Sequence, residues 1–251
     1  MYEGFNFNKR EFIFLEETDS TNNELKALIR SSEKPLFTVI SAKKQLSGRG
    51  RLGRSFFSPE GGLYFSLSLP LTGKENNIPF ITLLAGLCVY KAIKELTGIS
   101  TEVKWPNDIY LNDKKLCGIL SELVSGKQLT AVVGIGININ VKKTDIPPEL
   151  SDIMTSFAAE GLIPPDEKEL TEKITQYIDE FIYEREELFA VHDDTVSAVK
   201  SISCSIGRKV KYILGDSVSE GVITDILKTG AAEITLPDNT VKEIFCGEIT
   251  R

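Results

Sequence analysis

Histidine is almost missing from this chain: His192 is the only one among 251 residues. Histidine is the usual general base near neutral pH. A Ser-His-Asp hydrolase would have to be built on His192, and the surrounding His192-Asp193-Asp194 holds no nucleophile elbow. His192 reads as a solvated surface residue, and the chemistry as one that runs on positioning and positive charge. Cysteine is sparse and scattered. Cys88, Cys117, Cys204 and Cys246 form no Cys-x-x-Cys pair, and each falls in an apolar stretch. That argues against a zinc site, a redox motif or a redox cofactor, and for small buried hydrophobes in a reducing compartment.

A positive charge balance is lacking too. The net charge of −7 is the wrong sign for a dedicated DNA-binding surface, so no DNA partner is expected. Long hydrophobic runs are absent. The longest, residues 78–90, is well short of the ~20 that span a bilayer, and Lys91 and Lys94 follow it. Met1-Tyr2-Glu3-Gly4-Phe5 has no basic region leading into an apolar core, so neither a leader peptide nor a membrane partner is expected, and the location reads as cytoplasmic. With 41% apolar and 26% charged residues, the composition is that of a globular protein and argues against disorder. No internal repeat or low-complexity tract is visible.

The pattern along the chain predicts a mixed architecture. Phe12 to Leu15 reads as a strand, and the Thr21 to Glu24 spacing as a capping box opening a helix through about Arg30. Phe37 to Ala42 is a further strand. Leu63, Phe65, Leu67 and Leu69 alternate with Tyr64, Ser66 and Ser68, the period of a half-buried strand. Ile78 to Leu96 predicts a long helix stopped by Gly98. Pro106 keeps the preceding residues extended. Ile109 to Leu111 and Leu116 to Leu123 flank Asn112-Asp113 as a hairpin, and Leu129 to Ile139 follows as a strand. Leu170, Ile174, Tyr177, Ile178, Phe181, Ile182 and Leu188 form one helical stripe. Four short strands, 207–214, 219–227, 231–236 and 241–245, alternate with turns such as Gly215-Asp216 and suggest a small barrel. Hairpin-length connections favour α+β over a doubly wound sheet. The domain boundary is placed near Ser201, giving units 1–200 and 201–251.

Two segments carry chemistry. Between Lys43 and Ser58 lies Gly48-Arg49-Gly50-Arg51-Leu52-Gly53-Arg54. Glycine lets a ligand approach the backbone, backbone amides in such turns make an anion nest, and arginine adds a permanent charge with a planar donor fork. The loop suits a phosphate or a carboxylate joined to one; a flexible segment that touches RNA is the alternative. It is neither a Walker loop nor a dinucleotide fingerprint, because no Gly-Lys-Ser or Gly-Lys-Thr follows and no helix opens after it. The second segment is Lys104-Trp105-Pro106-Asn107-Asp108 with Lys114-Lys115-Leu116-Cys117-Gly118. Its lysines suit a carboxylate or a leaving phosphate, and Asp108 a magnesium ion; read alone it is more readily a solvated surface hairpin.

Together with Asp19-Ser20-Thr21-Asn22 and Gly134 to Asn138, these segments resemble, in order, the signature of biotin–protein ligases. The resemblance runs from about Thr18 to Asn140. It implies an α+β core of the class II synthetase-like kind, a mixed sheet flanked by helices, closed by a small SH3-like β-barrel. It also implies ATP-dependent conversion of biotin to biotinyl-5'-AMP and transfer to a lysine of a biotin carboxyl carrier protein domain. By resemblance, Ser20, Thr21, Asn22, Gln45, Gly48, Arg49, Gly50, Arg51, Lys115 and Gly118 contact biotin. Arg49, Arg51, Arg54, Lys104, Asn107 and Asn138 contact ATP, while Asn107 and Asp108 serve Mg²⁺. Arg49, Lys115, Lys104 and Asp108 are the catalytic set. A homodimer is a family-based expectation. Phe56 stands where the best-known members carry tryptophan, and Ser47 where alanine is common. Some members carry a helix-turn-helix domain of some sixty residues before the core. Here the first family segment begins at Thr18, which reads as the monofunctional class. Lipoate or octanoate transfer is the nearest rival reading, and a biotin-dependent DNA-binding regulator a more distant one.

Overall fold

Strand alternation and two long amphipathic helices organise the chain around one sheet. The computed structural model describes residues 10–33, 35–71, 78–183, 189–214 and 217–249; the first five residues, Leu188 and the Gly215-Asp216 turn lie outside them. The elements in order are β1 (Glu11–Thr18), α1 (Thr21–Ser31), β2 (Thr38–Gln45), β3 (Gly62–Pro70), α2 (Phe80–Thr97), β4 (Glu102–Lys104), β5 (Asp108–Leu111), β6 (Lys114–Ser125), β7 (Leu129–Asn138), α3 (Glu167–Tyr183), α4 (Asp193–Ser201), β8 (Lys209–Leu214), β9 (Ser217–Ile226), β10 (Ala232–Thr235), β11 (Val241–Ile244) and β12 (Glu248–Ile249). The large sheet has the order β1-β2-β3-β7-β6-β5-β4 and is antiparallel except for the β1–β2 pair. The second sheet, β11-β10-β9-β8-β12, is wholly antiparallel and is the small β module read from the sequence.

Helix α1 covers one face of the large sheet. Its Leu25 and Ile29 pack with Ile40, Val124 and Val132. Helices α2 and α3 cover the other, where Phe65, Leu67, Ile119, Val133 and Ile135 meet Leu83, Leu87, Ile174 and Ile178. Both faces of β3 are therefore buried, which corrects the expected half-buried strand: Ser66 and Ser68 are as inaccessible as the leucines between them. Turn chemistry follows the sequence. Asn112 and Asp113 both take positive φ in the β5–β6 turn, and Gly98 caps α2 at φ 73 with its N–H on Lys94 O.

Three further expectations are corrected. Thr21 is not a cap: Ser20 holds that position without a side-chain cap, and Glu24 accepts from Thr18 Oγ1 at 2.7 Å. His192 is half-buried just before α4, a helix the sequence pattern did not announce, and its buried Nε2 has no partner among the described residues. Cys88 and Cys117 are buried, whereas Cys204 is half-buried and Cys246 exposed. Burial pushes the Cys88 and Cys117 thiols up.

The core runs without a break from the large sheet into the small one, through Trp105, Val199, Val210, Ile223 and Ile234. Trp105 joins the two parts. Its backbone N–H donates to Ser205 Oγ at 2.7 Å and its indole N–H to Gly230 O at 3.1 Å. No helix among the described residues is long and apolar enough to cross a membrane.

Candidate active site

A cavity of about 580 Å³ opens on the α1 face of the large sheet. Its floor is where β6 and β7 carry glycine. A methyl group at Gly134 would lie 2.1 Å from Asn22 Oδ1, and one at Gly136 would lie 2.5 Å from the Phe56 ring. At Gly118 it would meet Phe56 at 2.9 Å and Lys115 Cε at 3.0 Å. The alternating glycines thus form a trench that side chains from α1 and the arginine–glycine loop enter.

That loop is an ordered hairpin. Arg49 bridges Ser55, and Phe56 N–H donates to Gly48 O at 2.8 Å. Leu52 and Gly53 turn its tip with positive φ. Gln45 ties the loop's base to α1: its Oε1 accepts the Thr21 N–H at 2.9 Å, and its Nε2 donates to Ser58 Oγ at 3.0 Å. Arg51 reaches across the cavity to Asn107 Oδ1 at 3.1 Å. Burial pushes the Arg51 guanidinium down from its ordinary value, with Cys246 and Asp108 opposing the shift. Arg54 pairs with Glu248 of the small sheet.

The far wall comes from the β4–β6 region. Lys115 Nζ lies 2.7 Å from Asp108 Oδ1 and 5.4 Å from the Phe56 ring centroid. Lys104 Nζ donates to Tyr110 Oη at 3.1 Å. Asn107 Nδ2 donates to Ile119 O at 3.0 Å, which fixes its Oδ1 towards Arg51. Five cationic side chains, Arg49, Arg51, Arg54, Lys104 and Lys115, face two carboxylates, Asp108 and Glu248. In a chain of net charge −7 this is a local excess of positive charge, suited to an anionic ligand.

All the residues proposed from the sequence line this cavity except Gly48 and Asn138. Gly48 sits in the hairpin base, where an added methyl group would lie 2.3 Å from Ser58 Oγ. Asn138 is buried behind Lys115, with Nδ2 on Thr155 O at 2.9 Å and Oδ1 lacking a partner among the described residues. Several residues were not foreseen. Gly247, Glu248 and Ile249 close the rim from the small sheet. Ser66 Oγ lies 2.6 Å from Asn22 Oδ1 and 2.7 Å from Thr21 Oγ1. Glu122 accepts from Asn22 Nδ2 at 2.8 Å and from Lys26 Nζ at 2.7 Å. Burial pushes the Glu122 carboxyl up, but the hydrogen bonds from Lys26 and Asn22 outweigh it and leave the net shift downward. Alternation along β3 put Ser66 on the polar face of the strand, so no sequence signal pointed to it, and nothing local marked Glu122.

Comparisons with known proteins show which proteins the chain resembles. The profile of the Biotin/lipoate A/B protein ligase family matches residues 14–140. The bifunctional ligase/repressor BirA of Bacillus subtilis (strain 168) is 41% identical over 147 residues, which cover 57% of this chain and 44% of that protein. The protein of the same name from Escherichia coli (strain K12) is 32% identical over 237 residues, covering 92% of this chain and 71% of that one. The solved biotin protein ligase from Aquifex aeolicus in complex with biotin and ATP superposes with a TM-score of 0.77 at 34% identity, covering 96% of this chain and 97% of that one. The chain thus spans less than half the length of the Bacillus relative and nearly all of the Aquifex structure.

Proposed function

The chain belongs to the biotin/lipoate A/B protein ligase family, and on that premise we propose that it converts biotin and ATP to biotinyl-5'-AMP and passes the biotinyl group to a lysine of a biotin carboxyl carrier domain. One observation carries the proposal: a single cavity joins a polar, hydrogen-bonded inner end to a mouth with five cationic side chains. The inner end, with Ser20, Thr21, Asn22 and Gln45, suits a ureido ring. The cationic mouth suits a carboxylate beside a triphosphate.

In the first step the biotin carboxylate attacks the α-phosphorus of ATP and pyrophosphate leaves. Two anions must be brought together, and charge builds on the phosphoryl oxygens. Arg49 and Lys115 serve the carboxylate and the α-phosphate; Arg51, Arg54 and Lys104 serve the remaining phosphates. Lys115, which sits against Asp108, would exchange that partner for the substrate's carboxylate. Among the described residues no cluster of three or more acidic, histidine or cysteine side chains is suited to a metal. Asp108 and the Asn107 amide therefore fit a Mg²⁺ held chiefly by the nucleotide's own phosphates, where it would neutralise phosphate charge. In the second step the carrier lysine, as a neutral amine, attacks the mixed anhydride and AMP leaves. Asp108 is the carboxylate we assign to assist it. The hairpin loop over the trench would keep water from the anhydride.

Lipoate is the competing substrate within the same family. Its dithiolane ring has no hydrogen-bonding groups and would bring no donor to the remaining lone pairs of the inner end, such as those of Thr21 Oγ1, a basis for rejection. We place the protein in the cytoplasm, assign it no DNA partner, set the start of its closing β module near Ser201, and expect a homodimer. The test of function is intact-mass analysis of a biotin carboxyl carrier domain incubated with the protein, biotin and Mg-ATP. The carrier gains one biotinyl group. An unchanged carrier, with no pyrophosphate released, would sink the proposal; a lipoyl increment instead would select the rival.

A further inference from the structure

The inner end of the cavity is wired to a carboxylate that does not line it. Glu122 on β6 accepts from Lys26 Nζ and from Asn22 Nδ2, and neither Glu122 nor Lys26 forms part of the wall. Asn22 Oδ1 lies 2.6 Å from Ser66 Oγ, which lies 2.7 Å from Thr21 Oγ1. Thr21 in turn forms part of the wall. Gln45 Oε1 already accepts the Thr21 backbone N–H at 2.9 Å and stands 3.2 Å from its hydroxyl.

Proton counting gives this chain a direction. An ionised carboxylate only accepts, so the amide of Asn22 must turn Nδ2 to Glu122 and Oδ1 to Ser66. Leu120 O, 3.3 Å from the same Nδ2, is a longer and weaker acceptor on the same side and does not hold the amide by itself. The amide oxygen also only accepts, so the single Ser66 proton goes to it. Thr21 must then donate to Ser66. Were it to donate to Gln45 instead, two oxygens would face each other 2.7 Å apart with no proton between them. Every proton points towards Glu122, and Thr21 Oγ1 is left with lone pairs alone.

We propose that Glu122 is a positioning residue for substrate selection: from outside the cavity it makes Thr21 a pure acceptor, so the inner end takes a ligand that brings an N–H to that point. The inference rests on the biotin reading, in which the N–H belongs to the ureido ring. Lys26 holds the carboxylate in place from α1, one helical turn beyond Asn22.

Calorimetry of biotin and ATP on the full chain tests it. E122Q can donate as well as accept, so Asn22 is free to turn over and Thr21 to become a donor. Biotin affinity falls on the order of tenfold, the effect of one misdirected buried hydrogen bond, while ATP affinity stays within about twofold. S66A cuts the chain and lowers biotin affinity similarly. E122Q/S66A is then no weaker than S66A alone, because nothing remains to carry the direction; a merely structural Glu122 gives losses that multiply and extend to ATP. E122Q that binds biotin as wild type does, or a double variant showing the product of the two losses, overturns the proposal. If E122Q does not fold, S66A decides alone: unchanged biotin affinity overturns it. A wild-type protein that binds no biotin overturns the biotin reading together with this inference. One that binds biotin yet never labels the carrier overturns the activity alone.

Discussion

The two ends of the cavity are built on opposite plans. The inner end is buried and closed on itself. Thr21, Asn22 and Ser66 are each under 5% exposed, and their polar groups are bound to one another or to Gln45 and Glu122. The mouth is open and charged. Arg54 and Glu248 keep 64% and 60% of their side-chain surface in solvent. A buried polar network discriminates because an ill-matched ligand leaves groups unpaired at full desolvation cost. An exposed charged rim attracts and accommodates at lower cost per contact. Under the proposed function, the contrast would give substrate identity to the inner end and the handling of phosphate charge to the mouth.

Variants can break or sharpen that division. Lys115→Ala touches the junction of the two ends and should have the largest effect, lowering adenylate formation about 10²–10³-fold in a pyrophosphate-release assay. Unchanged rates would remove Lys115 from the mechanism. Gly134→Ala puts a methyl group 2.1 Å from Asn22 Oδ1, so it should raise the biotin KM by roughly tenfold or more and leave the ATP KM alone. An equal rise for both substrates would erase the distinction between the ends. Glu248→Gln removes one exposed partner at the mouth. The ATP KM should change about two- to threefold, the scale of a surface ion pair, with biotin unaffected. Smallest of all, iodoacetamide should modify Cys246 first and spare Cys88 and Cys117, whose buried thiols are held in the neutral form; peptide mass analysis reads the order, and biotin affinity should survive.

Legibility followed sequence distance. The hairpin at Asn112-Asp113, the stop at Gly98 and the α3 stripe depend on neighbours along the chain, and the pattern showed them. The cationic mouth was legible for the same reason, since Arg49, Arg51 and Arg54 share one loop. Helix α4 was not: it has nine residues, begins with two aspartates, and holds two valines, two serines and a threonine of modest helix propensity. The two faces of β3 misled because its serines look solvent-facing until α1 is laid over them. Glu122 and Asn22 stand 100 positions apart and meet only when β6 runs beneath α1. The small sheet's contribution to the rim is more distant still, at 194 positions between Arg54 and Glu248.

Trp105 has a practical corollary for anyone who would cut this protein. Its indole and backbone N–H groups are both satisfied by residues beyond Ser201, and its neighbours Lys104 and Asn107 form part of the cavity wall. A fragment ending at Ser201 would strand both donors and uncover the ring. The break between strands of the two sheets is therefore a poor place to trim the gene, yet a good one to divide it: two separately inactive pieces whose reunion restores labelling would report on whatever brings them together.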